Sequence, residues 1–209
     1  MMKGGKPITR EWPVHQFIEA RQVHEPVLLS PQNSFAFALV NLRKAILGSS
    51  ASNLYRCDLL QRAPFPTDFG TAGDLGWILR HAAEISLGIT PEVFSTFLFH
   101  SKAYAKSDYA VSDFSEKCLT TARETMARQS QSATWDLTIS REILEPLAVA
   151  WSDFLDAKRA FQTAKGSPLL WVFSVAHWRA YYVRSQRFKT LRERQETAIR
   201  RIRLRSQTS

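Results

Sequence analysis

The sequence predicts an α/β chain in which a few short strands precede a predominantly helical C-terminal half. Three observations predict it. Leu54 to Trp77, LYRCDLLQRAPFPTDFGTAGDLGW, packs an apolar run, an arginine, a proline-bounded turn, a Gly-rich bend and an acid-plus-tryptophan helix start into one stretch. Residues 85–99 gather β-branched and aromatic side chains around a Thr90–Pro91 break, the composition of two short strands. Beyond Asp113, apolar residues recur every three or four positions, the period of amphipathic helices.

Size and composition bound the rest. At 209 residues, 44% hydrophobic and 22% charged, the chain is long enough for one globular domain with a sizeable core and an appended helical tail. Cys57 and Cys118 are too few for a disulfide framework and share no metal-ligand spacing; they read as small buried or half-buried thiols, with a disulfide or a reactive thiol as the alternatives. Residues 1–10 do not resemble a leader, and no charge-free run approaches the roughly 20 residues of a membrane span. The expected location is the cytoplasm, peripheral on the inner face of the membrane where the chain touches lipid. The net charge of +9 is held unevenly: Arg179 to Arg205 carries nine arginines and one lysine against Glu193 and Glu196, which leaves the body almost neutral.

In chain order, residues 1–33 form an irregular N-terminal segment interrupted by Pro7, Pro13, Pro26 and Pro31, with Phe17–Ile18 and Val27–Leu29 as short extended pieces. His15 and His24 are loop histidines. Asn33 or Ser34 caps a packing helix to Leu47, with Phe35, Leu39, Leu42 and Ile46 on its inner face, Arg43 and Lys44 toward solvent and Gly48 at its end. Pro64 and Pro66 forbid a regular helix through the central stretch. Gly70 and Gly73 permit a tight bend before Asp74, which starts the next helix. Strands follow at about 85–89 and 93–99, and His100 stands at the end of the second. A helix over about 113–128 aligns Phe114, Cys118, Ala122 and Met126. Another over about 140–164 aligns Ile143, Leu147, Ala150, Phe154 and Phe161, with Pro146 in its first turns, and Gly166 closes it. The last helix starts at Ser167–Pro168 and carries an aromatic face of Trp171, Val175, Trp178 and Tyr182, bordered by Arg179, Arg187 and Arg194.

Several residues carry candidate chemistry. A carboxylate at Asp74, held by a glycine bend at a helix N-terminus, suits a general base, although on physics alone an acid that merely starts the helix is the favoured reading. Asp68 is either a second acid at the same cleft or an exposed turn residue. Trp77, three residues after Asp74, shares its helix face and forms either an apolar wall for a ring or part of the core. Arg56 and Arg80 suit phosphate or carboxylate, or plain ion pairs. His100 suits a metal or diphosphate, or a structural role. Phosphate loops, dinucleotide fingerprints, HExxH, CxxC, GxSxG and adjacent acid pairs are all absent from the sequence. The basic tail admits three uses: a membrane-interface helix across 168–205, a phosphate-tracking helix for nucleic acid, or the solvated end of a packing helix. Nucleic acid is the least favoured, because nothing resembles a recognition helix placed by a turn.

The central residues resemble the C-terminal part of a family 2 glycosyltransferase with the GT-A fold. The resemblance rests on Leu54–Tyr55–Arg56–Cys57–Asp58–Leu59–Leu60, on Phe65–Pro66 to Phe69–Gly70, and on Gly73–Asp74 with Trp77, Leu79 and Arg80. It continues through Pro91–Glu92–Val93–Phe94 to Phe97–Leu98–Phe99–His100. It implies an incomplete GT-A-like domain, with residues 34–106 as the acceptor-side part and 107–209 as a helical C-terminal extension. Asp74 would be the catalytic base; Trp77, Asp68 and Arg80 would bind the acceptor. Arg56 and His100 would hold the nucleotide-sugar, with His100 near its Mn or Mg ion. The family's Glu-Asp directly before Trp is replaced here by Asp74–Leu75–Gly76–Trp77, its strand-end arginine is Leu98, and the match covers only about Phe35 to His100. The nucleotide-binding half has no counterpart, so the resemblance implies a truncated or separately encoded piece, inactive alone, with a partner chain supplying the missing half. The alternative is a helical interaction module with a basic amphipathic tail for membrane or RNA.

Overall fold

The structure, a computed structural model, describes residues 2–3, 6–7, 12–44, 46, 53–92, 114–164 and 175–206. Along the chain run β1 (Met2–Lys3), β2 (Lys6–Pro7), α1 (Pro13–Arg21), β3 (Val27–Leu29), α2 (Pro31–Val40), α3 (Cys57–Arg62), a 3-10 turn (Thr67–Ala72), α4 (Gly73–His81) and β4 (Leu87–Ile89). After them come α5 (Phe114–Gln129), a helical turn (Leu137–Ile139), a π-helical turn (Ser140–Leu144), α6 (Glu145–Thr163), α7 (Val175–Arg201) and β5 (Arg205–Ser206). Residues 1–135 and 202–209 form one unit, and residues 136–201 a second.

The α/β fragment expected from the sequence is not what these residues build. They are predominantly helical, and their strands are two or three residues long, in a β1–β2 hairpin and an antiparallel sheet of order β4-β3-β5. A GT-A domain needs a large mixed sheet, and an incomplete one would still show part of it. Here the apolar residues are spent otherwise: the LYRCDLL run turns into the one-and-a-half-turn helix α3 instead of following a strand. The expected strand over 85–89 forms as β4; the strand over 93–99, with His100 at its end, lies outside the described residues.

Two prolines that read as breaks are helix starters. Pro13 and Pro31 stand in the first turns of α1 and α2, where a missing N–H costs nothing. Helix α1 has no counterpart in the sequence reading; it ends at Gln22, whose backbone is left-handed at φ 49°. Helix α2 begins three residues earlier than Asn33 or Ser34 would place it. Asn33 donates to Ser30 Oγ at 2.8 Å and Ser34 to the Ser30 carbonyl at 3.0 Å. The helix stops at Val40, well before Leu47, and Leu42 and Ile46 are buried beyond it.

Residues 32–40 are all buried, so α2 is the centre of the first unit. Phe37 meets Phe17 of α1 at 4.8 Å and Phe35 meets Trp135 at 6.4 Å. Helices α4 and α5 pack on each other; α5 turns Phe114, Cys118, Leu119 and Ala122 inward, as its spacing predicts. Phe69 lies edge-to-face on Phe114 at 6.1 Å and directly over Gly76.

The second unit is an antiparallel helix pair. Phe161 of α6 meets His177 of α7 at 4.9 Å, Phe154 meets Phe188 at 5.4 Å, Asp153 pairs with Arg187 at 2.9 Å, and Glu142 pairs with Arg201 at 3.0 Å. Descending α6 is thus ascending α7. Asp136 caps the entrance, accepting from the Thr138 N–H at 2.8 Å, and Pro146 sits in the first turn of α6.

Two predictions follow from this packing. A Cβ built on Gly76 would stand 2.5 Å from two carbons of the Phe69 ring, so Gly76→Ala should lower unfolding stability in urea by about 1–3 kcal/mol, the cost of overpacking. Cys57 is exposed, contrary to the reading of both thiols as sheltered, whereas Cys118 is buried and burial pushes its thiol up to about 12. Iodoacetamide should therefore label Cys57 in the folded protein and leave Cys118 unmodified until denaturant is added.

Candidate functional site

Pro64 and Pro66 keep residues 63–66 out of helix, and the 3-10 turn that follows bends at Gly70, where φ 54° and ψ −129° suit glycine. That bend delivers the chain to Gly73, and α4 starts with Asp74 in its first turn, as the sequence predicts. Asp74 is half-buried, and its Oδ1 accepts from the Leu75 N–H at 2.8 Å. Burial lifts its carboxyl above the ordinary range, with backbone hydrogen bonds working partly against that. The Tyr55 hydroxyl is raised as well, first by burial and then by the charge of Asp74. Asn53 donates to Tyr55 Oη at 3.4 Å.

Trp77 lies one turn on, 1% exposed, and its indole N–H donates to the Ala63 carbonyl. Tyr55, Phe65 and Trp77 form a three-ring cluster: centroids are 5.6 Å apart for Tyr55–Phe65, 5.6 Å for Tyr55–Trp77 and 6.1 Å for Phe65–Trp77, at interplanar angles of 86°, 88° and 69°. His81 leans on Trp77 from the next turn at 5.3 Å. Trp77 stands one turn after Asp74 in α4 and is packed in the core among Tyr55, Phe65 and His81. Nothing in the local spacing flags Tyr55 and Phe65, which reach Trp77 across the proline turn.

The other candidates go elsewhere. Asp68 is exposed and takes two hydrogen bonds from Arg80, at 2.8 and 3.1 Å, and an ion pair from Lys117 at 3.1 Å. The bond from Arg80 is the main reason its carboxyl sits below the ordinary range. Arg80 and Lys117 both stand over the Phe69 ring. Arg56 is exposed and pairs with Asp58 at 3.0 Å, which Arg62 also reaches. His100 lies outside the described residues. Among the described residues no group of three or more His, Cys, Asp or Glu is placed to hold a metal ion.

A second candidate surface lies on α7. His177, Leu191 and Ala198 are its buried residues, seven or fourteen apart and so on one side of the helix. Val175, Trp178 and Tyr182 share another side and are 82%, 53% and 64% exposed; Tyr181, Val183 and Phe188 are exposed too. Arg187, Arg200 and Arg201 are paired with Asp153, Glu196 and Glu142. Arg179, Lys189 and Arg194 have no ion pair among the described residues. Trp171 and the expected helix start at 167–168 fall outside them. No helix among the described residues is long and apolar enough to cross a membrane.

No protein-family model, no curated protein and no solved structure matches this chain. The glycosyltransferase reading is overturned by the fold itself: the described residues are almost entirely helical and hold no large mixed sheet to carry a nucleotide-sugar, and among them no metal-binding cluster is found. The pieces of that resemblance that lie among the described residues build helix starts and turns, so the transferase activity, the GT-A keywords and the acceptor-side role fall together. With them goes the reason for expecting a divalent cation, a nucleotide-sugar or a partner chain completing a sheet.

The two acids of this region should respond to pH with opposite sign. A carboxyl raised on folding costs stability when it ionises: that cost is absent below the ordinary value of 3.8 and is paid in full above the raised one. Asp74→Asn should therefore stabilise the fold at pH 7, and the gain should vanish as the pH falls into the acid range. Asp68, held down by Arg80 and Lys117, stabilises the fold at neutral pH and loses that contribution as pH falls through its lowered value. Asp68→Asn should weaken the protein at pH 7 and leave it unchanged in acid. Urea midpoints measured from pH 3 to pH 7 read both slopes.

Proposed function

We propose that this chain is a helical interaction module whose long C-terminal helix docks on an anionic membrane surface. One observation carries the reading: α7 turns Val175, Trp178 and Tyr182 to solvent on a side separate from His177, Leu191 and Ala198, in a segment that holds nearly all of the chain's net positive charge. Apolar area left in water costs about 25 cal/mol per Å², and Trp and Tyr are the side chains that settle at a lipid–water boundary, with the ring in the acyl edge and the polar tip among headgroups. Arginines and lysine alongside add about 1 kcal/mol each near an anionic lipid surface. At 27 residues, α7 is about 40 Å long by its rise per residue, enough to lie in the interface over several turns. The anionic leaflet of a cell membrane is the cytoplasmic one, which fits peripheral attachment there.

RNA is the competing occupant, and the same residues distinguish it. Sedimentation with phosphatidylcholine vesicles, with and without phosphatidylserine, should show binding that requires the anionic lipid. Trp178→Ala with Tyr182→Ala should weaken it about tenfold or more, as expected for withdrawing two rings from the interface. Vesicle binding indifferent to phosphatidylserine, or tighter binding to single-stranded RNA that collapses with added salt, would overturn the membrane reading.

A further inference from the structure

The solvent side of α7 changes character along its length. At about 3.6 residues per turn, residues three or four apart share a side, and one exposed stripe runs through Trp178, Tyr182, Ser185 and Lys189 and continues through Glu193, Glu196 and Arg200. Its two halves differ in kind. All the large hydrophobic side chains that α7 exposes lie between Val175 and Phe188. From Lys189 to Arg201 the apolar residues are Leu191 and Ala198, which are buried, and Ile199, which is partly covered. The acids divide at the same place. Residues 175–189 hold Arg179, Arg184, Arg187 and Lys189 and no Asp or Glu, whereas the stripe beyond them carries Glu193 and Glu196. Arg200 is 3.6 Å from Glu196, and Arg192 and Arg194, the neighbours of Glu193, are turned about 100° to either side of the stripe.

Resting on the membrane reading of α7, we infer that the helix enters an anionic bilayer only over residues 175–189 and that its C-terminal turns stay outside the acyl boundary. An interfacial helix is held by apolar area withdrawn from water and by cations beside anionic headgroups. The first half supplies both, over about 20 Å by its rise per residue. Lys189 closes it with a long apolar stem that keeps its ammonium at headgroup level. The second half has no apolar side chain on the stripe, and inserting it would strip water from Glu193 and Glu196 beside lipid phosphates, a desolvated carboxylate facing like charge. Arg192 and Arg194 attract that half toward the headgroups without giving it area to bury.

Two single-cysteine chains test this, Ser185→Cys and Glu196→Cys, each in a Cys57→Ser background in which Cys118 stays buried. Both positions lie on the stripe, about three turns apart, and each is labelled with a polarity-sensitive nitrobenzoxadiazole dye. On vesicles of phosphatidylcholine and phosphatidylserine, the dye on the Ser185→Cys chain should shift to shorter wavelength. Nitroxide carried on lipid acyl chains should quench it several-fold more than the dye on the Glu196→Cys chain. Glu196→Cys removes one of the acids that keep the second half out, which favours deeper burial of its dye, the opposite of the expected result. In unlabelled protein, Ser185→Glu should weaken vesicle binding about tenfold by setting a carboxylate among the inserted rings, whereas Glu196→Gln should change it less than about threefold. Both variants should keep the circular dichroism of the unmodified protein. Equal quenching at the two positions, or equal effects of the two unlabelled variants, overturns the confined insertion and leaves membrane docking in place. Failure of the unmodified protein to bind the vesicles overturns the membrane reading and this inference with it, so the two failures are distinguishable.

Discussion

The first unit depends on burying one helix from all sides. Residues 32–40 of α2 offer no polar face to water, so each contact around them has to be supplied by another element, and that requirement arranges the unit. Each fully buried Phe or Leu contributes on the order of 1.5–3 kcal/mol relative to exposure, and the string Phe35–Ala36–Phe37–Ala38–Leu39 concentrates that gain in five residues. Burial this complete leaves the helix ends as the liability, because their orphan N–H and C=O groups cannot reach solvent freely. Ser30, Asn33 and Asn41 answer it. Asn33 donates to Ser30 with one end of its amide and accepts the Arg203 N–H at 3.3 Å with the other, and Asn41 donates to the Phe37 carbonyl at 3.2 Å. The same Asn33 therefore ties the start of α2 to the returning end of the chain, next to where β5 adds to β3 and Ile202 is buried.

From this centre the glycine bend sets everything about α4. Gly70 kinks the chain, and Gly76 lets the Phe69 ring press on the helix backbone; Phe69 is buried, Asp68 beside it is exposed and pairs with Arg80 and Lys117, while Asp74 is half-buried in the first turn of α4. Two carboxylates six residues apart end with opposite electrostatics: one paired in water, the other half-buried at a helix start. Their pKa shifts differ in sign for that reason and not through any property of aspartate itself.

Much of the helical part was legible. The stripes Phe114–Cys118–Ala122 and Leu147–Ala150 are one-sided, and one-sided helices announce themselves by their period. Helix α2 is apolar all round, so periodicity located its middle and missed its start, and Pro31 was read as a break where it is a first-turn residue. Pro13 misled in the same way and hid α1. Strands of two or three residues are too short to alternate, and β5 lies in a stretch whose composition is that of the basic tail. The site was half legible. Asp74 after a glycine bend and Trp77 one turn later are local facts of spacing. Tyr55 and Phe65 join Trp77 only because α3 and the proline turn fold back, which no window of sequence contains. The likeness to a glycosyltransferase failed for a related reason: its matched pieces are local, and the property that defines that fold is a sheet assembled from residues far apart.

The basic tail shows how charge and packing divide one helix. Arg187 and Arg201 reach Asp153 and Glu142, and the Arg184 guanidinium lies 4.2 Å from the centre of the Phe161 ring; these cations hold α7 against α6, and their charge is spent locally. Exposed pairs of this kind are worth little in water, about 0–1 kcal/mol, so they orient the helix more than they stabilise it. Orientation is what matters for the opposite side. Once His177, Leu191 and Ala198 are committed inward, the helical period fixes Val175, Trp178, Tyr182 and Lys189 outward together, and the aromatic exposure is a geometric consequence of the inner contact. A helix that served only to pack on α6 would need polar residues at those outward positions. Its aromatic rings there, alongside Arg179 and Lys189, which have no ion pair among the described residues, make sense as a binding face.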